Sequence, residues 1–348
     1  MSTVGGLYLD IAEIKKGKCG NEVADIINML SQTNGILDDA IWRECNSGTR
    51  HKHTVLSGLP DVSWGRLYKG IKNGRAKRTQ VEDVTGFIEG LSTVDERLTE
   101  LEPNVNAFRL QEAEAFMESL GQTMASSIIY EDADANPDRF TGLAPRFNDL
   151  GAQNGNQIID AGGTGSDNTS IWFVTWGPAA CQLIYPQGTS AGVTRKDLGS
   201  QRVHDENGDP YFALEEKFTV HLGVSVRDWR KVVRIANIDV SELEAGNVDI
   251  YDLMRKAFNK VHGLRKSARG TDSVASGDGN FMNPRTAIYC NDVVFEALDR
   301  ETNNSRKAGS DNYIRMRPTE IQGNEVDAYR SIPVVQVDAI LKTEARVV

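Results

Sequence analysis

The spacing of apolar residues along this chain changes several times, and each change marks an element. Val105, Phe108, Ala113, Phe116, Leu120, Met124 and Ile128 recur at helical spacing. They predict one long helix over residues 102–134, with Pro103 in its first turn and Asn136-Pro137 as its stop. At ~1.5 Å per residue this helix is about 40 Å long, a strut more than the wall of a compact catalytic domain. Next comes SIWFVTWGPAACQLIYPQGTSAGVTRKDLGS, residues 170–200. Its β-forming residues Ile171, Phe173 and Val174 predict a strand over 171–176. Gly177-Pro178 breaks that strand, Cys181–Tyr185 is a second, and a loop with Pro186, Gly188 and Gly192 follows. Residues 217–238 alternate over part of their length and predict a long third strand. Ile250, Leu253, Met254, Ala257, Phe258 and Val261 line one face of a helix over 249–264. A second helix spans 292–303, capped by Asn291 or Asp292, and strands are expected at 286–290, 313–317 and 332–341.

The N-terminal part reads differently. Val23, Ile26, Ile27 and Leu30 share a helical face, as do Ile36, Leu37, Ala40 and Ile41, and Asn34-Gly35 separates the two. Helices this short need a surface to pack on. Residues 46–90 turn Gly-rich, polar and basic. Arg50, Lys52, Arg66, Lys69, Lys72, Arg75, Lys77 and Arg78 face one acid, Asp61, between positions 50 and 78. Asn73-Gly74 is a hairpin-turn signal, so the segment reads as an extended two-stranded loop. Its charge has three possible destinations: solvent, nucleic acid, or an acidic face of a neighbouring copy. The outer side of the long helix offers such a face in Glu112, Glu114 and Glu118, with Glu131 and Asp132 near its end. Residues 149–168 and 267–283 are irregular Gly-rich loops. The class is mixed α+β with long insertions.

A formal net charge of -10 argues against a protein built to coat DNA. A nucleic-acid-binding module using Arg50–Arg78 stays as the alternative, weakened by the lack of stacking aromatics interleaved with its cations. Cys19, Cys45, Cys181 and Cys290 form no C-x-x-C pair and read as reduced thiols. Residues 1–10 show no leader, and no run reaches the ~20 apolar residues of a membrane span. The chain is therefore expected to be made and used in a cytoplasm, or to leave it by lysis. His51-Lys52-His53 places two imidazoles on one side of a strand. Zinc needs three or four ligands, and His204, His221 and His262 are isolated, so the pair reads as a solvated strand face. Gly162-Gly163-x-Gly165 and Gly277-Asp278-Gly279 lack the dinucleotide spacing, and there is no nucleophile elbow or P-loop. No catalytic residue, metal or cofactor is expected, and the chain is not expected to be an enzyme.

Several blocks carry a resemblance. They are LSQTNGILDDAIWRECN (30–46), SGLPDVSWGRLYKGI (57–71), NAFRLQEAEAFMESLGQTMASSIIYEDADANPDRFTGLAPRFN (106–148), FTVHLGVSVRDWRKVVRIANID (218–239) and TAIYCNDVVFEALDR (286–300), together with 170–200. In this order they resemble the major capsid proteins of epsilon15-like short-tailed phages, in the HK97-like fold superfamily. The resemblance implies an N-terminal arm (1–47) and an extended E-loop (48–95). It also implies a peripheral domain (96–140 and 166–240) with a spine helix at about 104–134, a Gly-rich connecting loop (141–165) and an axial domain (241–348). The strand order is expected to be rearranged, with strands 171–238 beside the spine helix and the chain end in the axial domain. The implied function is self-assembly into hexamers and pentamers of an icosahedral head enclosing double-stranded DNA. The implied partners are copies of the chain itself, with scaffolding, portal and cement or decoration proteins, weak non-specific contact with packaged DNA, and no membrane. The implied location is the virion, assembled in the host cytoplasm. Arg66-Leu67-Tyr68-Lys69-Gly70 departs from the relatives' Arg-x-x-Asn-x-Gly, and no motif for a Lys–Asn cross-link is identifiable, so non-covalent locking is expected.

Overall fold

The computed structural model describes residues 18–19, 22–23, 33–65, 67–68, 70, 73–100, 105–205, 207–261, 285–303, 316–321 and 324–348. Packing divides the chain into two units. One holds 87–124 and 190–221; the other holds 33–86, 125–189 and 222–348.

The second unit is built on a sheet whose strands run, in spatial order, Ile158–Asp160, Val232–Asp239, Asn168–Trp176, Arg285–Cys290, Ile332–Gln336, Asn324–Tyr329 and Arg317–Ile321. The first pair and the Arg285–Cys290/Ile332–Gln336 pair are parallel, and the others are antiparallel. Ile171, Phe173, Val233, Ile235, Ile288 and Val334 turn one face to the helices Ile250–Lys260 and Asp292–Asn303. Trp172 and Arg234 lie on the other face with Phe147. Burial on both faces explains why Ser170–Trp176 reads as one apolar run instead of an alternation. Each helix starts on a side-chain cap: Asp249 accepts from Asp252 N at 3.0 Å, and Asn291 accepts from Val294 N at 3.0 Å.

The first unit holds the long helix (Val105–Tyr130 in full) as far as Met124, the antiparallel pair Val193–His204 and Pro210–Val226 as far as His221, and Gly86–Asp95 from Phe87 on, which is joined to the latter strand. Ala113, Leu120 and Phe218 form its core with Ile88, Phe116 and Val193, and Phe116 stacks on Phe218 at 5.5 Å. Arg109 ties the helix to Glu216 and, at 3.0 Å, to Asp197.

The structure corrects three sequence expectations. The strand expected over 217–238 is two strands, interrupted by a 3-10 turn at Trp229–Lys231. Asp228 holds that turn by accepting from Arg230 N, a local carboxylate–backbone bond that alternation on either side conceals. Val193–His204, read as loop, is a strand; polar residues on both faces hide its period. The apolar group at 36–41 makes one helical turn, Ile36–Asp39, before Trp42–Glu44 pairs in parallel with Leu183–Tyr185. One sheet holds strands from both sides of residue 240. Asn168–Trp176 pairs with both Val232–Asp239 and Arg285–Cys290, while 193–221 belong with the long helix. The expected helix over 23–30 and the loop at 267–283 lie outside the described residues, apart from Val23, which pairs with Lys18.

Candidate assembly surfaces

The basic segment is a hairpin of Arg50–Gly58 with Lys77–Val84, in register from Arg50↔Val84 to Gly58↔Lys77. At ~3.4 Å per residue each strand is about 30 Å long. Asn73-Gly74 is not its turn. Gly74 lies against the Pro60–Asp61 backbone of the same chain, where an added Cβ would sit 2.7 Å from the Asp61 carbonyl oxygen. Its glycine therefore serves close backbone approach.

Period two puts His51 and His53 on one face at the root of this hairpin, but that face is buried, not solvated. Asp83 lies 3.6 Å from His53 Nδ1 and 2.9 Å from the Arg146 guanidinium. Gln182 Nε2 is 3.4 Å from His51 Nε2. Burial lowers the affinity of both imidazoles for a proton. Arg227 and Arg43 add to the effect at His51, and at His53 Asp83 opposes it. Among the described residues no group of three or more His, Cys, Asp or Glu is placed to hold a metal. The thiols of Cys45, Cys181 and Cys290 are buried and free. Burial pushes that of Cys45 up to about 11 and those of Cys181 and Cys290 up to about 12.

The charges proposed for contact between copies have different fates. Arg50 and Lys52 are exposed but already face Glu82 across the ladder, at 3.0 and 3.9 Å. Arg75, Lys77 and Arg78 are exposed and make no ion pair among the described residues. Arg66, Lys69 and Lys72 lie outside the described residues. On the acidic side, Glu114 is exposed, Glu112 is half-buried, and Glu118 accepts from Gln122 at 2.8 Å. Glu131 and Asp132 fall beyond the helix end at Tyr130. Glu131 receives Arg139 at 2.8 and 2.7 Å, and Asp132 accepts from Asp134 N. The expected continuous acidic strip is therefore reduced to Glu112, Glu114 and Glu118 on the helix.

Sequence reasoning missed the segment that joins the two hairpin strands. Leu59, Val62, Trp64, Leu67 and Tyr68 are almost fully exposed, Trp64 at 97% and Tyr68 at 106%. Their letters were visible in SGLPDVSWGRLYKGI, but without a period they announced no face.

A long helix packed on a strand pair, a sheet backed by two helices and a basic hairpin with an exposed apolar tip make a mixed α+β protein of the HK97-like fold. The cryo-EM structure of bacteriophage epsilon15 matches at 31% identity and TM-score 0.72, covering 100% of this chain and 99% of that one. The holo-SrpI encapsulin complex from Synechococcus elongatus PCC 7942 is a fainter likeness, at 8% identity and TM-score 0.45 over 67% of this chain and 97% of that one. No curated protein matches the sequence. The model of the major capsid protein GP7 family matches residues 18–348, and the chain belongs to that family. It is a structural protein of the phage capsid, not an enzyme. Copies of itself build the shell. No helix among the described residues is long and apolar enough to cross a membrane.

Proposed function

We propose that the chain forms hexamers and pentamers of an icosahedral head around double-stranded DNA, with the hairpin of one copy reaching the long helix of the next. In this reading the hairpin is the E-loop and the long helix the spine. The unit holding 87–124 and 190–221 is the peripheral domain, and the sheet of the other unit is the axial domain. The observation that carries the reading is the set of exposed cations left without an ion pair among the described residues. Arg75, Lys77 and Arg78 remain so toward the tip end of the hairpin, while Arg50 and Lys52 are satisfied at its other end. One exposed pair contributes only ~0–1 kcal/mol, but a closed shell repeats it in every subunit. Scaffolding, portal and decoration proteins act alongside this self-contact. The net charge of -10 keeps contact with packaged DNA weak and non-specific.

The test is the triple variant Arg75→Glu, Lys77→Glu, Arg78→Glu. Electron microscopy should show few or no shells, while circular dichroism melting of the subunit stays at the wild-type value. Shells in normal yield from the variant would overturn the charge contact.

A further inference from the structure

We infer that Arg43, Arg227 and His51 bind a free phosphate ion on one face of the sheet at the root of the hairpin, over Ser225 and Gln182. Trp42–Glu44 pairs in parallel with Cys181–Tyr185, which pairs in turn with Pro210–Val226. The register sets Arg43 opposite Ile184 and Ser225 opposite Gln182. Period two puts Gln182 and Ile184 on one side of their strand, so Arg43, Gln182 and Ser225 share a face. The Arg227 backbone N donates to the Ala180 carbonyl at 2.8 Å, which carries the pairing on to Arg227, two residues past Ser225. His51 comes onto the same face from the hairpin, its Nε2 3.4 Å from Gln182 Nε2.

Two observations point to an anion. The first is charge. Arg43 and Arg227 are half-buried, and neither has a carboxylate partner among the described residues. Arg227 donates to the Pro178 carbonyl at 2.6 Å, and the side chain of Arg43 makes no hydrogen bond among the described residues. The cations oppose one another. Burial and then Arg43 lower the proton affinity of Arg227, and burial followed by both arginines lowers that of His51. The acid that acts against them at the ring, Asp83, is held by Arg146 at 2.9 Å. Half-buried guanidinium groups without a counter-ion are costly, and their planar donor forks fit an oxyanion.

The second is a set of polar atoms without a partner. His51 is 4% exposed and Gln182 and Ser225 are 0% exposed, yet His51 Nδ1, Gln182 Oε1 and Ser225 Oγ make no hydrogen bond. Buried polar groups are ordinarily satisfied. A neutral ring that accepts from Gln182 at Nε2 carries its proton on Nδ1, so Nδ1 and the serine hydroxyl are two donors awaiting an acceptor. Gln182 Oε1 is an acceptor awaiting a donor. Hydrogenphosphate answers both needs, because it brings oxygens and a P–OH group, whereas sulfate brings oxygens alone. The free ion fits better than the backbone of packaged DNA, since a phosphate tethered in a duplex does not reach atoms this deeply buried. Bound there, the ion ties the hairpin strand Arg50–Gly58 to three strands of the sheet.

The test is inorganic phosphate added to the full-length subunit. At about ten times its Kd it should raise the Tm of wild type by about 2–4 °C over chloride at equal ionic strength. Arg43→Gln should lose that increment and bind phosphate about tenfold more weakly by calorimetry. Ser225→Ala is a second variant that keeps both cations, so a folding defect in one variant does not decide the result; it should also weaken binding. Sulfate should bind wild type about tenfold more weakly than phosphate, because it has no donor for Gln182. Equal Tm increments in wild type and both variants, or equal binding of sulfate, would overturn the assignment. Displacement of phosphate by a short DNA duplex would overturn the free ion and hand the arginines to the DNA backbone. Absence of phosphate binding, with shell formation lost in Arg43→Gln, would also overturn the site and assign its cations to an acid of another copy.

Discussion

The sheet face around Arg234 and the tip of the hairpin treat their side chains in opposite ways. Arg234 is buried, and each of its donor groups is matched. Nε donates to Ser170 Oγ at 3.0 Å, Nη1 to the Phe147 carbonyl at 2.8 Å and Nη2 to Glu344 at 2.8 Å. Tyr130 donates to the other oxygen of Glu344, and the Arg234 guanidinium sits 5.0 Å over Trp172. Nearby, Trp176 Nε1 donates to Tyr289 Oη at 2.7 Å, and Tyr289 donates to Asp39 at 2.9 Å. At the tip, large apolar groups are left almost fully exposed. The first arrangement serves folding, and the second is the one proposed to serve association. The residues that stabilise the subunit are therefore not those that stabilise the shell, and variants should separate the two.

The largest separation is expected at Glu344. Glu344→Ala leaves the Arg234 guanidinium buried without its counter-charge, a loss of about 3–5 kcal/mol. That is a large share of a typical domain's total. The urea midpoint of the isolated subunit should fall sharply, whereas Trp64→Ala should leave it within about 0.5 kcal/mol of wild type. Equal midpoints for the two variants would break the comparison.

A smaller effect should come from the hairpin root, where acid acts on folding. His51 and His53 bind protons less readily in the fold than at their ordinary value of 6.5. Their contribution is present above that value and is lost as pH falls through the lowered folded values, because the unfolded chain then takes up protons that the fold refuses. The slope is at most about 1.4 kcal/mol per pH unit for each imidazole. The groups facing the pair are Asp83, Arg146, Arg227, Arg43 and Gln182, and the cations make a charged imidazole costlier. Asp39, whose carboxyl is raised by burial, works in the opposite direction. It cancels when wild type is compared with His51→Gln, His53→Gln. Between about pH 7.5 and about pH 5.5 wild type should lose more urea stability than the double variant. Parallel losses would place the acid sensitivity elsewhere.

The sequence showed the long helix and the Ser170–Trp176 strand because each has one environment along its length. The helix buries a single stripe, and the strand is covered on both faces. Val193–His204 was hidden for the converse reason, since it buries almost nothing. The His51/His53 pair shows where local pattern ends. Alternation set both rings on one side, but the covering groups come from Arg146 and Gln182, far along the chain. Candidate charges were likewise visible as composition, while their partners were not. Glu82 lies directly across the ladder from Lys52, a register that only the fold supplies.

The finest test of the comparison is Gly121→Ala, because it should move the two stabilities in opposite directions. In the isolated subunit the new methyl meets open space. The helix should gain up to about 1 kcal/mol from the better propensity of alanine, raising the urea midpoint slightly. In a shell where the hairpin of one copy reaches the long helix of the next, as proposed, the same methyl intrudes on that contact, so assembly should need a higher protein concentration. Gly121→Leu should enlarge the assembly defect without a matching loss of subunit stability. If Gly121→Ala stabilises the subunit and assembles as well as wild type, nothing packs closely on that part of the helix. The contact proposed for the helix must then stop short of Gly121.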